Sequence, residues 1–170
     1  MRATRADLLR ERSPARTPRS GVLGALAFVA SLALAVADAA GAAPEPPLGT
    51  WLTEDRNAVI QIVPCGAAFC GQIVGIPLAV PGEPIPTDNH GRSQCHLTII
   101  QDATPDGTGW NARITDPRDG SWYHVRLRLD AERRLHVRGY VGIPLLGLTQ
   151  VWTAFTAPVP ADCRLPPRTP

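Results

Sequence analysis

The stretch "WYHVRLRLDAERRLHVRGYVG", residues 122–142, decides the fold. In its first half Trp122, His124, Arg126, Arg128 and Asp130 alternate with Tyr123, Val125, Leu127 and Leu129. In its second half His136, Arg138 and Tyr140 alternate with Leu135, Val137 and Val141. A strict period of two puts one set on each face of a half-buried strand. The two halves predict an antiparallel hairpin turning around Ala131–Arg133, with Arg126 near Arg138 and Arg128 near His136 on the polar face. Like charges directly opposed are unfavourable, so that face is expected to be solvated, paired with acids or occupied by an anion. A solvated outer wall is the ordinary arrangement for half-buried antiparallel strands. The rival is an anion patch of Arg126, Arg128, His136 and Arg138 holding a carboxylate or phosphate head group.

The same texture extends outward in both directions. "NAVIQIV" (57–63), "GQIVGI" (71–76), "HLTII" (96–100), "WNARITD" (110–116) and "LTQVWTAF" (148–155) are short runs rich in branched and aromatic residues. Gly, Pro, Asp and Asn punctuation such as "TPDGTG" and "DPRDGS" separates them. No window offers a sustained, capped helical period. The expectation is all-β, a meander closed into a barrel or a sandwich. Residues 77–95 form a long irregular connection, and the prolines at 77, 81, 84 and 86 exclude a ladder interior there. A loop of that length in a small domain serves as a lid, a binding loop or a mobile segment. A cover at a barrel mouth fits best. The proline-rich tail, 158–170, ends in "PPRTP", which should fray.

Residues 1–42 read as an export signal. Residues 1–20 hold six arginines against two acids, residues 21–37 are an uncharged apolar run, and "DAAGAAP" supplies small residues for cleavage. An uncleaved anchor is the competing reading, because the run is near the short end of spanning length. After cleavage no stable membrane span is expected. From Pro44 onward 11 arginines face 12 acids, so the formal +2 of the whole chain belongs to the leader. A general polyanion grip on nucleic acid has no support. The roughly 127 residues that remain suit one domain burying about two-thirds of its unfolded surface.

The four cysteines follow from the compartment. In an exported chain Cys65 and Cys70 are better read as a disulfide than as a redox or metal pair. With "GAAF" as a four-residue hairpin loop they would be directly opposed, within bridging distance. Cys95 and Cys163 then pair by elimination, although four cysteines allow three connectivities. Zinc would have to draw on Cys65, Cys70, Cys95, His96, His90 and Cys163, and Cys-x4-Cys in a β pattern is a poor knuckle. A thioredoxin-like role lacks both Cys-x-x-Cys and the helix that lowers the thiol pKa. No metal and no cofactor are expected.

No catalytic residues are expected either. Asp116 and Asp119 sit in "DPRDG", and Glu54 and Asp55 in "TEDRN", both of which are turn chemistry. Neither a nucleophile elbow nor a phosphate loop is present. His124 and His136 fall on a polar strand face.

The strings "GTWLTEDRNAVIQIVPCGAAFCGQIVGI", "TDNHGRSQCHLTII", "ITDPRDGSWYHVRLRL" and "LHVRGYVGIPLLGLTQVWTAF" together resemble the bacterial DUF2147 family, over Gly49 to Phe155. The resemblance implies an exported protein with a lipocalin-like, up-and-down β-barrel over residues 44–157, and no established reaction. "GTW" at 49–51 is also similar to the Gly-x-Trp opening the first lipocalin strand, which implies that Trp51 closes one barrel end beneath a late arginine. Ala154 stands where the family has that arginine, which leaves Arg164 to replace it. The loop "TDNHGR" is shortened, and His96 follows the third cysteine where glycine is common.

These readings combine into a non-catalytic binder with a small hydrophobic or amphipathic ligand in an apolar lumen. The lumen candidates are Ile60, Ile62, Val125, Leu127, Val137 and Val141. The second reading is a structural or interaction protein of the envelope with a filled barrel. A hydrolase comes third. The periplasm is the expected compartment, with full secretion the variant.

Overall fold

The computed structural model describes residues 43–167; the expected export signal at 1–42 and the last three residues lie outside them. Among the described residues nine strands form: β1 (Gly49–Leu52), β2 (Val59–Cys65), β3 (Ala68–Pro77), β4 (Thr98–Asp106), β5 (Gly109–Thr115), β6 (Trp122–Leu129), β7 (Leu135–Tyr140), β8 (Leu148–Ala154) and β9 (Arg164–Leu165). The first eight pair antiparallel with their sequence neighbours, and β1 also pairs with β8, so the sheet closes on itself. Closure removes the free edges that an open meander would expose. Among the described residues no helix is long and apolar enough to cross a membrane.

The deciding hairpin has the register its alternation requires. Val125 faces Gly139, Leu127 faces Val137, Arg126 faces Arg138 and Arg128 faces His136. A slip of one residue would turn Val125 and Leu127 to solvent, and both are fully buried, which is why the register is well specified.

Three parts of the chain depart from expectation. Cys65 and Cys70 are not directly opposed: Cys65 faces Ala68 and Cys70 faces Val63, so the bridge spans a diagonal with a Cα separation of 5.8 Å. The loop is shorter than "GAAF" because Gly66, at φ 66°, lets a two-residue turn close on Ala67. The first half of the expected turn "TPDGTG" lies in β4, which runs on to Asp106 past a register shift between Gln101 and Thr104. Asp102 adopts φ 56° inside that irregularity, as β-bulges permit. The proline-rich tail joins the sheet. β9 runs parallel to the end of β3, with Ile76 N–H donating to Cys163 O at 2.7 Å. The Cys95–Cys163 bridge anchors this pairing.

One end of the barrel is closed by the chain leading into β1. Pro47 is fully buried there, and its carbonyl accepts the Trp51 indole N–H at 2.9 Å. Glu45 O accepts the Trp110 indole N–H at 3.1 Å, and the Glu45 carboxylate pairs with Arg133 in the β6–β7 turn at 2.6 Å. Two large buried rings thus have their polar atoms satisfied by a crossing strap, as burial requires. The connections 53–58, 78–97, 116–121 and 141–147 collect at the opposite end, because alternate connections of a meander fall at alternate ends.

Candidate functional site

The sequence places a ligand in the lumen. Ile60, Val125, Leu127, Leu135 and Ile100 have no accessible surface, and Ile62 has 1 %. A residue lining a space wide enough for water would show surface to it, so no such space touches these side chains. The barrel is packed through its middle, as protein cores are. Of the lumen candidates, Ile60, Ile62, Val125, Leu127 and Val137 belong to this core. Val141 does not, being 70 % exposed. Its alternation is correct, but β7 stops at Tyr140 and the chain turns away through Gly142 at φ 74°.

The anion patch is an outer wall whose donors are largely engaged. Arg126 donates to Asp106 O at 3.2 Å and lies 3.5 Å from its carboxylate. Arg138 donates to Pro144 O, Leu145 O and Thr149 Oγ1 at 2.7–3.1 Å. His136 meets Asp130 at 2.9 Å. Burial works against the charge of Asp130, yet the Arg134 backbone N–H, the His136 ring and the Arg134 guanidinium outweigh it, so the carboxyl lies well below its usual range. Of these four residues only Arg128 is exposed, and it makes no ion pair among the described residues. Like-charge opposition at Arg126 and Arg138 is therefore relieved by acceptors within the chain, and no anion clamp is formed.

Trp51 is 4 % exposed and lies at the strapped end, with no arginine stacked on it among the described residues. Arg164 turns away to the Glu83 carbonyl and to Asp162, 3.5 Å distant. Cys95, His96 and Cys163 bring their ligand atoms within 4.8 Å of one another. Both sulfurs are committed to the Cys95–Cys163 bridge, leaving one imidazole, too few donors for a tetrahedral zinc site.

The loop end carries a cleft of about 180 Å³ beneath the proline-rich connection. The connection is held by Asp88, whose carboxylate accepts the backbone N–H groups of His90 and Arg92 at 2.9 and 2.8 Å and the Arg92 guanidinium at 2.7 Å. Thr87 bridges to Ser93, making the segment a small hairpin of its own. It locks onto the β5–β6 turn: Asn89 N–H donates to Pro117 O at 2.9 Å. A Cβ on Gly120 would meet the Asn89 amide at 2.4 Å, so this contact requires glycine. Leu97, Thr98 and Ile99 around the start of β4, Thr115 and Pro117 around the end of β5, and His90 and Arg92 of the connection line it. The one carboxylate in the lining is Asp88. Its burial opposes ionisation, but the Arg92 backbone and guanidinium and the His90 N–H together hold its pKa below the ordinary value. A carboxylate so engaged is a structural acceptor and a poor general base.

Asp116 and Asp119 organise the turn beside the cleft, accepting from the Arg118 and Ser121 N–H groups at 2.9 and 2.8 Å. Asp55 and Thr53 do the same in the β1–β2 connection, each accepting the Asn57 N–H. A second, more open cleft of about 140 Å³ lies among Leu52, Arg56, Pro77, Phe155 and Leu165. The cleft under the proline-rich loop was foreshadowed by the length of residues 77–95. Its walls were not, because Thr115 and Pro117 reach it only through the β5–β6 turn.

An eight-stranded, up-and-down antiparallel barrel, strapped at one end and looped at the other, defines a lipocalin-like fold. The chain belongs to the DUF2147 family, described as an uncharacterized protein conserved in bacteria, whose pattern matches residues 49–154. Among solved structures it is similar to protein HP1028 from the human pathogen Helicobacter pylori, described as belonging to the lipocalin family. The TM-score is 0.57 at 16 % identity, covering 65 % of this chain and 84 % of that one. Among curated proteins none matches.

Proposed function

We propose that this is a non-catalytic binding protein working outside the cytosol, and that it binds at the loop end of the barrel rather than in a hollow lumen. The observation that carries this reading is the cleft of about 180 Å³ above an interior in which Ile60 and Leu127 expose nothing. Its volume is below the roughly 300–1,000 Å³ of pockets that enclose drug-sized ligands. It suits a small amphipathic group, or the head of a longer molecule, with apolar Leu97 and Ile99 and polar Thr98, Gln101, Thr115 and His90 in its lining. The two disulfides support an oxidising compartment, in keeping with the expected leader.

The test is native mass spectrometry of protein purified from its own envelope, alongside a Thr98→Trp variant that fills the cleft. A co-purifying small molecule lost from the variant supports the reading. Retention of that molecule by a folded variant, or its absence from the wild type, contradicts it. The packed interior and an exposed apolar loop favour a second reading, an envelope protein that acts through a surface contact.

A further inference from the structure

Residues 141–148, "VGIPLLGL", put five large aliphatic side chains into solvent. Val141 is 70 % exposed, Ile143 55 %, Leu145 81 %, Leu146 77 % and Leu148 84 %. The 3-10 turn Pro144–Leu146 at the tip buries none of its residues. Scattered surface leucines are ordinary, but a contiguous apolar tip marks a contact site. We infer that this loop is a lipid-docking tip that dips into the interface of an anionic bilayer.

Three features favour a bilayer over a second copy or a protein groove. The apolar side chains are exposed on both arms of the turn and at its apex, whereas a flat protein contact needs only one face. The apex of the turn brings backbone partners of its own. Leu146 and Gly147 N–H donate to Ile143 O and Pro144 O at 3.2 and 3.1 Å, and Pro144 has no N–H. The Arg138 guanidinium takes up the Pro144 and Leu145 carbonyls at 2.7 and 3.1 Å. Hydrocarbon offers no hydrogen bonds, so a segment entering it must bring its own partners. Finally, the outer wall beside the loop carries an interfacial band. Arg113, His124 and Tyr140 form one cross-strand row, with His124 and Tyr140 stacked at 5.6 Å. Trp122, 53 % exposed, lies 5.4 Å beneath the Arg113 guanidinium. Tryptophan and tyrosine settle at the head-group level, and an exposed arginine there meets lipid phosphate.

This inference goes beyond the cleft and does not require it to be occupied. The experiment is co-sedimentation of the purified protein with vesicles of phosphatidylethanolamine and phosphatidylglycerol, with phosphatidylcholine vesicles as the neutral control. The wild type is expected to sediment with the anionic vesicles, and brominated lipid should quench Trp122, since Trp51, Trp110 and Trp152 are buried. A Leu145→Ser, Leu146→Ser double variant should lose binding by on the order of a hundredfold, two leucine burials being removed, with its melting temperature kept. Arg113→Ala should weaken binding to the anionic vesicles severalfold and leave the neutral control unchanged. Failure of the wild type to sediment, equal binding by the double variant, or a concentration-dependent dimer abolished by that variant would each overturn the inference. Ligand loss from Thr98→Trp tests the cleft separately, because that residue is not in the tip.

Discussion

Truncating Leu127 to Ala separates a packed barrel from a hollow one. Leu127 is fully buried, faces Trp110 on β5 and Val137 on β7, and belongs to the main apolar cluster. The substitution removes three carbons, at about 0.8 kcal/mol each, for a transfer term of about 2.4 kcal/mol. In a packed interior the neighbours relax only in part, and the residual cavity raises the total to about 3–5 kcal/mol. In a hollow barrel the removed atoms would already have faced open space, and the cost would stay at or below the transfer term. The assay is urea unfolding followed by circular dichroism, with the slope of the transition checked for constancy between wild type and variant. A loss at or below about 2.4 kcal/mol at unchanged slope would refute the packed interior, and with it the placement of binding at the loop end.

The two disulfides should differ in worth. In the chain-entropy account, bridging Cys65 and Cys70 across 5 residues contributes about 2 kcal/mol, and bridging Cys95 and Cys163 across 68 contributes about 4 kcal/mol. Paired Cys→Ala variants measured by denaturant unfolding should keep that order, and a costlier loss of the short bridge would contradict it. Asp88 has its folded pKa depressed, so its contribution is present above the unfolded value of about 3.9 and lost as pH falls through the folded one. Asp88→Asn should therefore be less stable than wild type at pH 7, with the gap shrinking below about pH 4; a gap constant from pH 7 to 2 would rule this out. Gly109→Ala should cost about 1–3 kcal/mol, because its Cβ would sit 2.5 Å from the Leu127 carbonyl, which the β5–β6 ladder holds in place. A melting temperature equal to wild type would show that the ladder yields there.

How far the sequence reached depends on the range of the interaction. The 122–142 hairpin was legible to the residue, because a slip would expose Val125 and Leu127, and local alternation alone fixes such a register. The same alternation overreached by one position at Val141, where Gly142 ends the strand. Cys65 and Cys70 were legible as a pair, but their diagonal offset depends on a two-residue turn that "GAAF" also allows to be four residues long. The strap at Glu45–Pro47 was out of reach. Its hydrogen bond to Trp110 spans 65 positions, and nothing periodic marks it. β9 was hidden for a related reason, since Arg164 and Leu165 carry no strand signal in a proline-rich tail until the bond from Cys163 to Cys95 brings them beside β3. The largest difference concerns the lumen. Period-two apolar residues specify an inward face, but whether eight such faces leave a cavity is decided by side-chain volumes meeting across the barrel, and Ile60, Ile100 and Leu127 leave no water-sized gap beside them.

The most direct test of the account is a crystal of the protein soaked with a brominated fatty acid and measured for anomalous bromine signal. A packed barrel with binding at its loop end predicts bromine near the cleft lined by Leu97 and Ile99 or beside the 141–148 tip. A bromine peak inside the barrel, among Ile60, Leu127 and Val137, would contradict it.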